Sequence, residues 1–190
     1  YSQMENIESD VGLVTLLAGG NDLGYLARLM TASCEALERQ GKVHKTIPCL
    51  EMPEFPNKAD YKNTEYHLNI IINKIKEKAP EAVIVLIDYA TVLPLTSLCA
   101  LTPMDEKYAI ESNYIKGQIE DILERVSFKN STLLIKASEI TEDHNVCSEK
   151  PWIRAYASAD WSMLTLPYHP KYEYMYSITD ALESVLRPYF

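Results

Sequence analysis

A continuous run of apolar positions lies at Val83–Ile87, where most of the residues are β-branched. Such a run is typical of a strand that is buried on both faces, in the middle of a sheet covered by helices. Two polar residues, Asp88 and Thr91, follow where the run ends. Because ligands in open α/β sheets bind beyond the carboxyl ends of the strands, both residues are candidates for a ligand site. The alternative, that they only cap and turn the chain, stays open at this point.

Four other stretches have apolar residues at steps of three and four, the spacing of amphipathic helices. The first is Val11–Gln40, and the second runs from Thr64 to about Lys78. The third begins at Thr102-Pro103, a residue pair suited to a helix N-terminus, and the last begins at Ser177. The faces predicted to be buried in the second and third helices are Leu68, Ile71, Ile72 and Ile75, and Ile115, Ile119, Ile122 and Val126.

Shorter apolar runs at Val43–Pro48, Thr132–Ala137 and Met163–Leu166 predict further strands. Strands then alternate with helices along the chain, which predicts an α/β fold with a central twisted sheet flanked by helices. The length of 190 residues suits one domain, residues 1–190, with a loose lead-in over residues 1–10.

The segment Ala18–Tyr25 interrupts the first helical pattern with three glycines in six residues. Each glycine costs about 1 kcal/mol inside a helix relative to alanine, so their presence needs a structural or functional reason. A break between two helices, a close helix crossing and a ligand contact all remain open. The segment is not a P-loop, because no Gly-Lys-Ser/Thr follows, and it is not a dinucleotide fingerprint, because no strand is predicted before it.

Composition and charge exclude several classes of function. The formal net charge of −9, without a cluster of Lys or Arg, argues against binding to the backbone of DNA or RNA. No stretch reaches the roughly 18 apolar residues of a membrane span. The four cysteines lack a Cys-x-x-Cys pair, which predicts reduced thiols in the cytosol. His144 and Cys147 have no second pair of ligands, so no metal site is predicted.

Several short segments, taken together and in order, resemble the ligand-binding domain of the stimulator of interferon genes (STING). They are Leu23–Leu29, Tyr61–Tyr66, Leu86–Thr91, Ile119–Leu123 and Leu133–Glu139. The resemblance implies a V-shaped symmetric homodimer built on a long N-terminal helix. It also implies a receptor without enzymatic activity or cofactor, which binds a cyclic dinucleotide such as cyclic GMP-AMP or cyclic di-GMP. Such a domain faces the cytosol behind a membrane-spanning region of the endoplasmic reticulum, and it signals to a downstream kinase or adaptor.

The resemblance also implies roles for individual residues. Tyr25 would stack on a purine base, which is worth about 1–3 kcal/mol per base. Asp88 would accept hydrogen bonds from guanine, and Thr91 would touch the base. Other ligand contacts would come from Gly20, Asn21, Gly24, Tyr61 and Val92, the last in place of the family's usual proline.

This chain departs from the family pattern in its lid and in one insertion. The predicted lid, residues 52–63, is short and lacks the phosphate-binding arginines of the family, so we hypothesise that Lys58 and Lys62 replace them. Residues 150–167 are an insertion without a counterpart in the family.

Two other functions compete with the receptor. A dimeric scaffold with a degenerate pocket would explain the missing arginines. A nucleotide phosphoesterase would use Gly19–Asp22 as an anion-binding loop and Asp88 as a base, with Asp22 or Asp160 as a second carboxylate.

Overall fold

Three parallel strands form the central sheet of the computed structural model, which describes residues 2–42, 49–156 and 166–190. In order across the sheet, the strands are β1 (Leu13–Leu16), β2 (Val83–Ile87) and β3 (Leu133–Ile135). In the register of the sheet, Leu16 lies opposite Leu86, and Leu86 lies opposite Leu134. The central position predicted for Val83–Ile87 is confirmed, and so is the small α/β sheet flanked by helices.

The expectation of one long N-terminal helix is wrong. The stretch that was predicted as this helix contains β1 and then helix α2 (Tyr25–Arg39). The β-branched Val14 and Thr15 favour a strand, and the glycine-rich segment breaks the chain between the two elements. Without the long helix, the V-shaped dimer expected from the resemblance loses its structural basis.

Residues 2–10 are attached to the rest of the fold through hydrogen bonds to Lys78. They include a short helix, α1 (Ser2–Glu5), which packs near the end of helix α3 (Lys58–Lys78). The Lys78 Nζ atom donates hydrogen bonds to the carbonyl oxygens of Met4, at 2.7 Å, and Ile7, at 3.2 Å.

Helix α3 begins six residues before the predicted Thr64. Its N-cap is Asn57, whose side chain accepts a hydrogen bond from the Ala59 amide while the Asp60 carboxylate accepts one from the Asn57 amide. This reciprocal capping box stabilises the first turn, so the second half of the predicted lid is helix.

Helix α4 (Glu106–Asn130) carries the predicted apolar stripe. Its four members, Ile115, Ile119, Ile122 and Val126, are all buried, which confirms the helical period. The helix starts after Asp105 rather than at the predicted Thr102. An ion pair between the buried Arg28 on α2 and Glu111 ties this helix to α2.

The chain after β3 is less regular. It contains helix α5 (Ala137–Ile140), a single 3-10 turn (Glu142–His144) and helix α6 (Tyr172–Leu186), which starts five residues before the predicted Ser177. The strand predicted at Val43–Pro48 and most of the one predicted at Met163–Leu166 lie outside the described residues. None of the helices that the structure describes has the length and apolar character needed to cross a membrane.

All four cysteines form disulfide bonds, Cys34 with Cys49 and Cys99 with Cys147. The expectation of reduced thiols is therefore wrong. Partners that lie 15 and 48 residues apart in sequence meet only through folding, so spacing alone did not reveal the pairs. Disulfides form and persist in oxidising compartments, which argues against a cytosolic protein.

Replacing Cys99 and Cys147 together with Ser should lower the free energy of unfolding by about 4 kcal/mol, and replacing Cys34 and Cys49 by about 3 kcal/mol. The larger loss follows from the longer loop that the Cys99–Cys147 disulfide closes. Urea unfolding of the three proteins measures both values. As a control, the denatured protein should expose no free thiol until a reductant is added; four thiols without reductant would contradict the disulfides.

Candidate active site

The glycine-rich segment forms a tight turn between β1 and α2. The Tyr25 amide donates to the Gly20 carbonyl, at 2.9 Å, and the Gly24 amide donates to the Asn21 carbonyl, at 3.1 Å. Gly24 has a φ of 61°, a left-handed conformation that favours glycine, and Pro53 packs directly over its Cα. The turn leaves the Asn21 side chain exposed at the carboxyl end of the sheet, where no described residue hydrogen-bonds its carboxamide.

The Tyr89 ring packs against the backbone of this turn. The Gly20 amide donates a hydrogen bond of 3.0 Å to the Tyr89 hydroxyl. A Cβ atom at Gly20 would lie 2.6–2.8 Å from three atoms at the hydroxyl end of the Tyr89 side chain, so only glycine allows the contact. On its other side, the ring meets Tyr25 edge-on, with 5.9 Å between the centroids.

His169 lies beside this turn because the segment before α6 pairs with an earlier segment of the chain. The Arg154 amide donates to the His169 carbonyl, and the Tyr168 amide donates to the Arg154 carbonyl, both at 2.9 Å. Next along the chain, Ile153 and Pro170 form an antiparallel bridge. We call these two paired segments, residues 152–154 and 168–171, the histidine clamp.

Tyr168 is held in a conformation that bulky residues rarely adopt. Its φ is 60°, and its buried hydroxyl shares a hydrogen bond of 2.6 Å with the Ser33 hydroxyl of α2. A left-handed tyrosine costs free energy, and conformations of this kind concentrate at functional sites. The strained residue here is the immediate neighbour of His169.

The imidazole of His169 is oriented by the backbone two residues earlier. Its Nδ1 atom lies 3.0 Å from the Pro167 carbonyl oxygen. A carbonyl oxygen only accepts hydrogen bonds, so Nδ1 carries a proton and Nε2 is the nitrogen left to take up a further proton. This is the tautomer that a general base requires.

Asn21 and His169 line the same cavity, which has a volume of about 260 Å³. We call it the apolar cavity, because its walls are mostly aliphatic and aromatic. The other lining residues are Leu17, Gly20, Tyr25, Leu26, Tyr89, Ala90, Val92, Ile153, Tyr168, Pro170 and Tyr174. Burial raises the pKa of the Tyr174 hydroxyl to about 12, so this phenol stays protonated at neutral pH. A cavity with apolar walls and two polar groups suits an apolar substrate with one reactive polar group.

A second cavity, of about 450 Å³, lies on the other side of the segment that follows β2. We call it the acidic cavity, since six of its fourteen lining residues are Asp or Glu. Its charges are partly paired, with Lys116 Nζ 2.5 Å from Glu120 and Lys136 Nζ 2.6 Å from Glu124. Within the described ranges, no group of three or more His, Cys, Asp or Glu side chains is arranged to hold a metal ion.

Asp88 borders the acidic cavity, but the residue is only 2% exposed. One oxygen accepts from the Ser138 amide, at 2.8 Å, and the other accepts from the Ser138 hydroxyl, at 2.6 Å. Burial raises the pKa of Asp88 to about 6, although the hydrogen bonds from Ser138 act in the opposite direction. Thr91 is engaged with the same helix, since its hydroxyl donates to the Ser138 carbonyl at 2.9 Å. Both residues therefore fasten β2 to α5.

The ten residues predicted to bind a ligand do not come together in one place. Gly20, Asn21, Tyr25 and Val92 line the apolar cavity, and Asp88 and Thr91 line the acidic one. Gly24, Lys58, Tyr61 and Lys62 line neither of these cavities. Both lysines lie exposed on the first turns of α3, and Tyr25 is almost fully buried.

Sequence reasoning missed His169, Tyr89, Tyr168 and Tyr174. The four histidines of the chain looked scattered, and no base could be chosen among them. A usable signal was the position of His169 in a turn between Pro167 and Pro170, since functional residues concentrate on loops held by a rigid scaffold. The other candidate, His144, stacks on Trp152 with 3.6 Å between ring centroids, and Cys147 is consumed by a disulfide.

No family model matches this chain. Lipase 1 of Streptomyces coelicolor is 24% identical over 171 residues, which are 88% of this chain and 58% of that lipase. The crystal structure of phospholipase A1 from Streptomyces albidoflavus NA297 matches with a TM-score of 0.69 and 19% identity, over 96% of this chain and 72% of that one. An extracellular lipase from Streptomyces rimosus gives a TM-score of 0.64 and 19% identity, over 94% and 73%. The chain thus has the same fold as these two Streptomyces enzymes, and it spans less than three fifths of the length of the curated lipase that it matches.

These comparisons show that the resemblance to STING is wrong, because the relatives over nearly the whole chain are lipases and a phospholipase. Four expectations fall with it: the cyclic-dinucleotide receptor, the lack of enzymatic activity, the signalling homodimer, and the location on the endoplasmic reticulum facing the cytosol. The nucleotide phosphoesterase is not supported either. That residues 1–190 form one domain without a cofactor stays a prediction.

Replacing Gly20 with Ala should lower the free energy of unfolding by about 1–3 kcal/mol, because the added Cβ would overlap the Tyr89 side chain. The matched control is Gly117→Ala in α4, where a Cβ meets no atom within 4 Å and should stabilise the helix by about 0.5–1 kcal/mol. Thermal unfolding of both variants distinguishes them. Equal effects at the two positions would mean that Tyr89 does not pack against Gly20.

The buried carboxyl of Asp88 should make stability depend on pH. Its pKa is higher in the folded protein than in the unfolded chain, so the folded state binds the proton more tightly and loses stability as the pH rises from about 4 to 6. The free energy of unfolding of the wild type, relative to Asp88→Asn, should fall by up to about 3 kcal/mol over this range and stay constant above it. Urea unfolding of both proteins at several pH values measures the difference. A difference that does not change with pH would contradict the raised pKa.

Proposed function

We propose that this protein is a secreted hydrolase that cleaves carboxylic esters of lipids in the apolar cavity. The proposal rests on one observation. Asn21 and an oriented His169 line the same cavity, whose other walls are mostly aliphatic and aromatic. The names of the relatives, two lipases and a phospholipase A1, support the same class of reaction. Two disulfides support a location outside the cytosol.

His169 acts as the general base in this proposal. Its Nε2 lone pair removes the proton from an attacking hydroxyl group, and the oxygen of that group forms a bond to the ester carbonyl carbon. The carbonyl electrons move onto the carbonyl oxygen, which becomes an oxyanion. When the carbonyl re-forms, the bond to the alcohol breaks, and the protonated imidazole returns the proton to the departing alkoxide.

Asn21 stabilises the oxyanion in the same step. Its carboxamide N–H groups have no partner among the described residues, and the turn that carries Asn21 is fixed by two backbone hydrogen bonds. A donor that is already in place loses little free energy when the charge develops, which is why removal of one such donor typically costs 10²–10³ in rate.

The nucleophile comes from outside the described lining of the cavity. None of the described residues that line it is Ser, Thr or Cys. The attacking hydroxyl therefore belongs to a water molecule or to a side chain elsewhere, and His169 performs the same proton transfer in both cases. If a side chain attacks, the acyl group stays on it until a water molecule, deprotonated by His169 in the same way, displaces it as the carboxylic acid and restores the hydroxyl.

The acyl chain of the substrate fits the aliphatic part of the wall. Leu17, Leu26 and Ile153 form this part of the wall, and they line the same cavity as Asn21 and His169. Each buried methylene contributes about 0.8 kcal/mol, so affinity should rise with chain length until the cavity is filled.

Replacing His169 with Ala should lower the rate of hydrolysis of p-nitrophenyl octanoate by 10²–10⁴, the usual range for loss of a general base. The wild-type protein and the variants are assayed side by side, and the absorbance of the released p-nitrophenol is the readout. The matched control is His67→Ala on the exposed face of α3, which should keep the wild-type rate. Equal rates for all three proteins would rule out His169 as the base.

The substrate class is tested by the same assay with acetyl, butanoyl and octanoyl esters. We expect KM to fall as the acyl chain lengthens, because more methylenes are buried against the cavity wall. A preference for the acetyl ester would contradict a lipid substrate.

A further inference from the structure

The amide of Gly20 does not face the apolar cavity as a free donor. A backbone amide in such a turn, beside a general base, is a natural donor to an oxyanion. Here the amide is already used, because it donates to the Tyr89 hydroxyl at 3.0 Å. The Tyr89 hydroxyl, which accepts this hydrogen bond, is then the candidate donor to the oxyanion.

The Tyr89 hydroxyl keeps its own proton available. A phenol oxygen carries one proton and two lone pairs, and the Gly20 amide occupies one lone pair. No acceptor for this proton occurs among the residues that the structure describes, and Tyr89 lines the apolar cavity together with Asn21 and His169. Burial also raises the pKa of Tyr89, so the phenol stays neutral and can donate.

The position of the hydroxyl is fixed before any substrate arrives. The Gly20 backbone lies against the tip of the ring, and Tyr25 closes on it edge-on. The residue also lies only two positions after the last residue of β2, so its backbone is anchored by the sheet. Electrostatic stabilisation of a transition state is most effective when the donor does not need to reorganise.

Two of the three other tyrosines of the wall are less suited to this role. The Tyr168 hydroxyl already shares a hydrogen bond with Ser33. Tyr25 is almost fully buried, and besides this burial the charge of Glu120, which borders the acidic cavity, raises the pKa of its hydroxyl.

We propose that the Tyr89 hydroxyl, rather than the Gly20 amide, is the second hydrogen-bond donor to the oxyanion, beside the Asn21 carboxamide. This inference rests on the proposed ester hydrolysis. It makes Tyr89 a catalytic residue, because its proton touches the atom on which negative charge develops. The Gly20 amide is then a positioning group, which aims and polarises the phenol.

The first test measures binding of an anion to the cavity and needs no turnover. The probes are octylphosphonate, which carries charged oxygens, and 1-octanol, which has the same chain without charge. Tyr89→Phe keeps the ring and removes only the hydroxyl, so it should weaken octylphosphonate by about tenfold to 100-fold and leave octanol within about twofold. Isothermal titration calorimetry on the wild type and the variant gives both affinities.

A control variant distinguishes the specific effect of the Tyr89 hydroxyl from the effect of removing any tyrosine hydroxyl. Tyr114→Phe removes a hydroxyl from a half-exposed tyrosine of α4, outside the cavity, and should leave both affinities unchanged. If Tyr89→Phe lost affinity for both probes equally, the role of the hydroxyl would be purely structural. If it lost affinity for neither probe, Tyr89 would not donate to the anion. Both results would overturn the inference.

The second test uses the natural protein and p-nitrophenyl octanoate. Tyr89→Phe should lower kcat by about 10²-fold with KM nearly unchanged, because the bond to the substrate forms only with the oxyanion. The melting temperature should fall by a few degrees, since the buried Gly20 amide loses its acceptor. If the wild type is active and His169→Ala is not, but Tyr89→Phe retains full kcat, the inference fails while the proposed function stands. If the wild type cleaves no ester, the proposed function fails, and the two probes still decide whether Tyr89 binds an anion.

Discussion

The parallel pairing of β1 with β2 is the constraint on which the candidate site depends. Leu16 lies opposite Leu86, so the residues that follow both strands leave the sheet at the same edge. Gly20 and Tyr89 are 69 positions apart in the chain, and they meet there at hydrogen-bonding distance. Without this pairing, the turn after β1 and the tyrosine after β2 would have no fixed position relative to each other. Since only glycine leaves room for the phenol, the pairing of the strands and the identity of one residue act together.

His169 reaches the same edge by a different route, through a series of contacts between loops. The Val146 amide donates to the Val92 carbonyl just beyond β2, and the neighbouring Cys147 is fixed by its disulfide to Cys99. The Trp152 amide then donates to the His144 carbonyl, which carries the chain into the histidine clamp. The base is thus held by backbone hydrogen bonds rather than by a helix or a strand of the sheet. A site assembled in this way is sensitive to the disulfide that anchors its support.

The resemblance to STING failed because its motifs occur where many α/β proteins look alike. Leu23, just before α2, and Leu29, in its second turn, are buried core positions, and Tyr25 packs against Tyr89 instead of presenting a free face. Asp88 caps α5 through Ser138, which is the structural alternative that its sequence context already allowed. Apolar residues at the start of a helix and a polar residue after a buried strand are demands of folding. They therefore recur in proteins with different functions.

The sequence by itself determined the elements whose signal is local. The apolar run of β2 and the stripe of α4 were predicted correctly, since burial on both faces requires a continuous apolar run and burial on one face of a helix imposes a period. It located the ends of helices poorly, because the start of α3 depends on the capping box at Asn57. It also misread β1, whose four residues are too few to outweigh a neighbouring helical period. The disulfide pairs, the contact between Gly20 and Tyr89, and the placement of His169 were decided by the tertiary structure alone. Each joins residues far apart in the chain, and no local pattern records which distant residue will be the partner.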